Sequence, residues 1–347
     1  CKTMDKMKVA MYYNNNDVRI EELQIPEISD NELLVKVYAS GICGSDVMEW
    51  YRIKKAPLVL GHEISGEIVK AGKNVKKFKK GDRIFVTHHV PCNECEYCEK
   101  GQHTICHTLH TTKFYPGGFS QYLRVPEINV KTGTFILPDE LSYDEGTFIE
   151  PLACTVRGFR IANYQKNQTV LVLGSGIAGL LNIKLAKAIG VKKIFATDID
   201  EFRIDAAKKM GADFTITAKE NVPEQIKKHN SGKLADFVIL CAGVPSAVKQ
   251  ALNSAAPGGT ILFFAPTEPN VEIPFPLFDL WNKQVKMFST YAGAPEDIKE
   301  AIKLLKSKKI QINDMITHKL PLDKTPEGFK LVSQAKKSIK VIIEPQK

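Results

Sequence analysis

Short apolar runs separated by turn formers occupy the first part of the chain, at 8–13, 33–40, 64–70, 83–87 and 119–125. Gly or Pro at 41, 61, 72, 81, 91 and 117–118 punctuates them, and this pattern predicts a folded-over antiparallel β domain. Between Val86 and Phe119 the apolar periodicity lapses, so something other than a hydrophobic core must hold that lobe. From about Tyr143 the pattern changes to strands alternating with amphipathic helices, the signature of a parallel sheet with helical crossovers. The predicted strands are 169–173, 193–198, 213–217, 235–241, 259–264 and 284–290, and helices carrying an apolar stripe are predicted at 177–189, 201–210 and 246–255. A helix from Pro295 to Lys308, another over 325–334 and a last strand over 339–343 form a tail expected to return to the first domain.

At 347 residues the chain exceeds what one ordinary hydrophobic core supports, so two domains are the default. A composition of 44% hydrophobic and 25% charged residues is that of a soluble globular protein. No apolar run reaches the roughly 18 residues of a membrane span. The stretch Cys1–Met7 lacks the apolar core of a signal peptide and reads as a leader ahead of a strand at 8–13, which makes the cytoplasm the simplest location. The net charge of +9 is spread through short lysine-rich stretches, the densest at 73–80, which read as solvated loops or as attraction for an anionic cofactor. No nucleic-acid-binding motif accompanies that charge.

Four of the eight cysteines crowd together as Cys92-x2-Cys95-x2-Cys98-x7-Cys106, which in a cytosolic chain points to metal rather than to disulfides. Four thiolates close a tetrahedral zinc site that carries no chemistry and would fold the 86–119 lobe in place of a core. Cys43, His62 and Glu63 supply a thiolate, an imidazole and a carboxylate, which suit a zinc ion with an open coordination position. Cys43 and His62 would have to converge from different elements, and a histidine after glycine is, taken singly, as readily a structural residue.

Gly174-Ser175-Gly176-Ile177-Ala178-Gly179 follows a predicted strand, opens a predicted helix and is answered by Asp198 at the end of the next strand. Gly174 permits the tight turn, Gly176 lets the backbone approach a pyrophosphate, and Gly179 allows close packing of helix on strand. Ile177 and Ala178 begin the helix, whose free N–H groups favour an anion. The Asp198 carboxylate suits an adenosine ribose hydroxyl and repels a 2′-phosphate, which favours NAD over NADP. Asp200 either adds to that repulsion or caps the following helix, and Arg203 would pull toward NADP.

Cys43-Gly44-Ser45-Asp46, Gly61-His62-Glu63, the four-cysteine lobe, Glu150-Pro151-Leu152 and the glycine fingerprint occur in the order seen in zinc-dependent medium-chain dehydrogenases. The chain resembles that family over nearly its whole length, most of all the sorbitol (polyol) dehydrogenase branch. The resemblance implies an α/β architecture. A GroES-like antiparallel β catalytic domain (1–155) precedes a Rossmann doubly wound parallel sheet domain (156–295), and a C-terminal segment (296–347) returns to the first domain. It places the active site in the cleft between the domains. It further implies catalytic zinc ligands at Cys43, His62 and Glu63, with Glu150 binding the metal directly or through water. Ser45 takes the substrate alcohol proton and Asp46 orients the zinc histidine. Arg203 and Lys340 contact the ribose and the pyrophosphate. Two zinc ions and NAD per chain, a small-molecule alcohol or ketone substrate, and a homodimer or homotetramer built through the nucleotide domain complete the expectation, with the edge strand 284–290 a candidate for the pairing.

Three departures bear on the substrate. Met48 stands where many relatives carry a proton-relaying histidine, the loop between Cys43 and His62 is shorter, and the pocket arginine of sorbitol dehydrogenases is replaced in the Ser289-Thr290-Tyr291 region. The resulting expectation is a dehydrogenase acting reversibly on a secondary alcohol of polyol or sugar-like type. A threonine, aldose or simple-alcohol activity is the alternative within the family. A non-catalytic nucleotide-binding protein is the alternative outside it, although the joint presence of Cys43, Ser45, His62 and Glu63 weighs against that reading.

Overall fold

The computed structural model describes residues 5–335 and 337–347, so residues 1–4 of the expected leader lie outside the described residues. The chain forms two compact units, one made of 1–153 with 292–347 and the other of 154–291.

The first unit is built on a seven-stranded sheet that runs Ile316–Pro321, Lys340–Glu344, Leu33–Gly41, Glu63–Ala71, Arg83–Thr87, Thr134–Ile136, with Tyr122–Val125 also pairing with Leu33–Gly41. Leu33–Gly41 shows the alternation of a strand with one face in a core, Val35, Val37 and Ala39 being fully buried. It packs with Ile64, Ile68, Ile84, Val86 and Leu123 from neighbouring strands. Strand Lys340–Glu344 from the far end of the chain joins this sheet next to Leu33–Gly41. A smaller sheet of Asp17–Gln24, Lys6–Asn14 and Leu58–Val59 buries Met7, Val9 and Tyr12 against Phe329 and Val341. The strand expected over 119–125 is shortened to Tyr122–Val125. The backbone of Phe119 instead bonds to Ala10 of the smaller sheet and to Leu60, just after its strand Leu58–Val59.

The second unit is a six-stranded parallel sheet in the order Phe214–Thr217, Lys193–Asp198, Thr169–Leu173, Ala235–Leu240, Ala255–Phe263, Lys286–Ser289. By sequence this order is 3-2-1-4-5-6, that of dinucleotide-binding folds, whose ligands bind at the carboxyl ends of the strands where the order reverses. Thr169–Leu173 is wholly buried, as a central strand covered on both faces must be. Helix Ile177–Ile189 buries Leu180, Leu181, Ile183 and Leu185 and ends at Gly190, whose φ of 74° closes the last turn in the left-handed region that glycine tolerates. Among the described residues no helix is long and apolar enough to cross a membrane.

Candidate metal centres and nucleotide site

Pairing of Leu33–Gly41 with Glu63–Ala71 sets Gly41 opposite Glu63, so the turn after one strand and the start of the other meet. The donor atoms of Cys43, His62 and Glu63 consequently lie within 4.8 Å of one another. Glu150, near the start of helix Ile149–Ile161, is not one of this group. Cys43 caps the short 3-10 helix Gly44–Val47, and its backbone N–H donates to Asp46 Oδ2 at 3.0 Å. The other Asp46 oxygen receives His62 Nδ1 at 3.3 Å, which holds the ring and leaves Nε2 as its metal-directed nitrogen.

Burial alone would push the His62 imidazole down, yet the Asp46 carboxylate and the Cys43 sulfur raise it well above its ordinary value. Burial likewise opposes ionisation of Asp46, but His62, Arg52 and the Cys43 N–H bring its carboxyl below the usual range. Groups that favour an imidazolium here equally favour a bound cation, so the electrostatics agree with the chemistry of the donor set. Two further histidines line the same region. The His88 ring lies 4.7 Å from that of His62 and 3.6 Å from that of His89. Burial, together with the neighbouring histidines, holds His88 well below its ordinary value and His89 down to about 3, so both rings are neutral.

Glu63 is also engaged from behind. Lys340 is fully buried and its ammonium forms an ion pair with the Glu63 carboxylate, near the face of the Phe148 ring. The pair passes directly over Gly41, where a Cβ would collide with both charged groups. Lys340, expected at a pyrophosphate, is here a buried ammonium paired with the Glu63 carboxylate.

The lobe between Arg83–Thr87 and Tyr122–Val125 contains only short helical turns, at Glu96–Glu99, His103–Ile105 and His107–Thr111. Its small core is Cys98, Cys106 and Leu109, edged by Cys92, Cys95 and Ala292. All four cysteines are free thiols, and their sulfurs stand 3.9 Å (Cys92–Cys98), 3.6 Å (Cys95–Cys98) and 3.6 Å (Cys92–Cys106) apart. A zinc tetrahedron with bonds of about 2.3 Å has sulfur–sulfur edges of about 3.8 Å, so the four groups fit the ion. Burial pushes the Cys98 thiol up to about 12. In Cys106 the same effect is outweighed by N–H groups of Cys92 and Leu109, which hold it down to about 6.

In the second unit Gly174 turns with φ of 93°, and a Cβ on Gly179 would overlap the Gly174 carbonyl, so helix and strand approach to backbone contact. Gly176 caps helix Ile177–Ile189 without any side-chain hydrogen bond, which leaves the N–H groups of Ile177 and Ala178 in its first turn open to an anion. The Arg203 guanidinium lies beside Gly176. Asp198 is buried. One of its oxygens accepts from Ser175 N at 2.8 Å, and the other accepts from Ile199 N at 2.8 Å and Asp200 N at 3.0 Å. The carboxylate thus braces the glycine turn. Asp200 accepts from Arg203 N at 3.1 Å and caps the helix Glu201–Lys209.

Residues 29–134 match the alcohol dehydrogenase GroES-like domain and residues 178–307 the zinc-binding dehydrogenase family. The sorbitol dehydrogenase of Bacillus subtilis is 32% identical over 98% of this chain and 98% of its own length. That of Gallus gallus is 31% identical over 96% of this chain and 95% of its own. The galactitol-1-phosphate dehydrogenase of Escherichia coli superposes with a TM-score of 0.87 at 27% identity, covering 98% of this chain and 100% of the other. The chain belongs to the zinc-dependent medium-chain alcohol dehydrogenase family, within its polyol branch, and its activity is that of a zinc-dependent oxidoreductase using a nicotinamide cofactor.

Proposed function

We propose that the protein oxidises a secondary hydroxyl of a polyol or sugar-like alcohol reversibly to the ketone, with NAD as the hydride acceptor and two zinc ions per chain. The observation that carries this reading is the convergence of Cys43, His62 and Glu63 within 4.8 Å, beside the Ser45 hydroxyl. Cys43, His62 and Glu63 would hold the catalytic ion, with Glu150 binding it directly or through water, and Cys92, Cys95, Cys98 and Cys106 the structural one. Zinc in an open site supplies Lewis acidity, which lowers the pKa of a hydroxyl toward neutrality. Asp46 keeps the His62 ring in one orientation, and Ser45 Oγ takes the substrate proton. Met48 has no titratable group, so that proton leaves Ser45 toward water or the cofactor ribose.

The position of Asp198 supports NAD, since its carboxylate stands beside the glycine turn where a 2′-phosphate would add negative charge. Arg203 beside Gly176 would instead favour NADP, so the choice is measurable. Replacing Asp198 by Asn removes the charge while keeping an oxygen for part of the backbone bracing. Charge-assisted bonds are worth roughly 1.5–3 kcal/mol, so KM for NAD should rise about tenfold or more while KM for NADP falls. A wild-type enzyme that already prefers NADP would show the assignment to be wrong. A screen of alcohols and ketones with both cofactors tests the function as a whole.

We also propose that the protein self-associates through the edge strand Lys286–Ser289 of the second unit. Leu277, Phe278 and Trp281 on the preceding helix are 67%, 71% and 70% exposed, and Phe275 and Met287, on either side of it in the chain, are exposed as well. Unpaired edge backbone next to such a patch suits pairing with a second copy. Trp281→Glu should then convert the assembly to monomers in sedimentation velocity. An unchanged sedimentation coefficient would place the interface elsewhere.

A further inference from the structure

The catalytic turn carries a cation to which neither the family motif nor the residue spacing draws attention. Arg52 ends the one-turn helix Glu49–Arg52, and its side chain is only 14% exposed. Its Nε donates to the Ser45 carbonyl at 2.9 Å and its Nη2 to Ser45 Oγ at 3.0 Å. The same Nη2 lies 3.5 Å from the Asp46 oxygen that receives His62. One planar fork thus grips both the backbone and the hydroxyl of Ser45 and reaches the carboxylate that holds the metal-directed histidine. A lysine could not do this, because a single ammonium lacks two donors in a fixed plane.

A serine hydroxyl has one donor hydrogen and two acceptor lone pairs. With one lone pair occupied by Arg52, the Ser45 hydrogen must point away from the guanidinium. That hydrogen is directed at Cys43 Sγ, 3.4 Å away, so one lone pair remains to accept a proton. Arginine keeps its proton at any working pH, so it cannot compete for the proton in transit.

The geometry points to Arg52 as a positioning residue that makes the Ser45 hydroxyl a directional relay, an inference that rests on the alcohol dehydrogenase reading above. In the oxidation direction the substrate O–H bond breaks and a new Ser45 O–H bond forms, while the former Ser45 proton passes to water. The substrate C–H bond breaks with its electron pair going to the nicotinamide, which is reduced as the alcohol becomes the ketone. Arg52 exchanges no atom in this sequence. With Met48 in place of a relaying histidine, the orientation of Ser45 is the ordering device the turn retains.

The test combines Arg52→Ala, Arg52→Lys and Ser45→Ala in the zinc-replete full chain, measuring kcat, KM, zinc content by elemental analysis, and rescue by guanidinium at non-denaturing concentration. Arg52→Ala should lower kcat by about tenfold to a hundredfold with little change in KM for the cofactor. Added guanidinium should recover part of the loss and methylammonium should not. Arg52→Lys, which keeps a charge beside Asp46 and guards against a folding failure, should retain zinc and yet lose kcat. In the Ser45→Ala background, loss of Arg52 should cost little more, because the two residues act as one unit. Additive effects, loss of zinc in proportion to loss of kcat, or full activity of Arg52→Ala would overturn the inference while leaving the dehydrogenase reading intact. A wild-type protein inactive on every alcohol with NAD and NADP would overturn both.

Discussion

Cys43→Ser should abolish turnover while leaving the protein folded and still holding one zinc ion. Cys43 contributes the one thiolate of the open site, and its neighbours Ser45, Asp46 and His62 are all arranged around it. Changing residues that merely support a metal ligand typically costs 10–100-fold, so loss of a ligand itself should cost more than about 100-fold. The strands that flank the site owe their burial to Val35, Val37, Ile64 and Ile68, none of which touches the thiolate's role, so the fold should survive. Elemental analysis should fall from about two zinc ions per chain to about one. Retained turnover in this variant would remove Cys43 from the catalytic centre.

Cys98→Ser should have the opposite signature. The cluster around the cysteines is Cys98, Cys106 and Leu109, while the lobe's buried Phe114 and Phe119 pack into the clusters of the neighbouring sheets. A structural zinc site of this type contributes on the order of 10 kcal/mol of folding free energy, most of the lobe's stability. We therefore expect proteolysis to begin within 92–111, and a lower Tm, with the sheet of the second unit still intact. The same outcome should follow slow chelation of the wild-type enzyme. A Cys98→Ser protein with wild-type zinc content and protease resistance would show that the lobe is held by other means.

Legibility in the sequence followed distance along the chain. The glycine turn and the cysteine lobe were readable because each motif is local, and local spacing constrains geometry directly. The parallel sheet was readable because its buried strands, such as Thr169–Leu173, are continuous apolar runs. The convergence of Cys43 with His62 was readable only as a requirement, since it depends on the register that sets Gly41 opposite Glu63. Two features were hidden. Lys340 and Glu63 are 277 residues apart, and a lysine at the start of a strand looks like any surface cation until Lys340–Glu344 is seen beside Leu33–Gly41. Arg52 was hidden for a different reason, as a charged residue ending a one-turn helix gives no periodic signal of burial. Strand Asp17–Gln24 escaped notice because most of its residues are polar or charged and only Val18 is buried.

The central claim is that this metal site oxidises polyols, and the direct measurement is kcat/KM with NAD for a polyol against a plain secondary alcohol of equal carbon number, on zinc-replete enzyme. A clear advantage is expected for the polyol, whose second hydroxyl can engage the metal site and its polar neighbours. An equal or greater kcat/KM for the plain alcohol would contradict it.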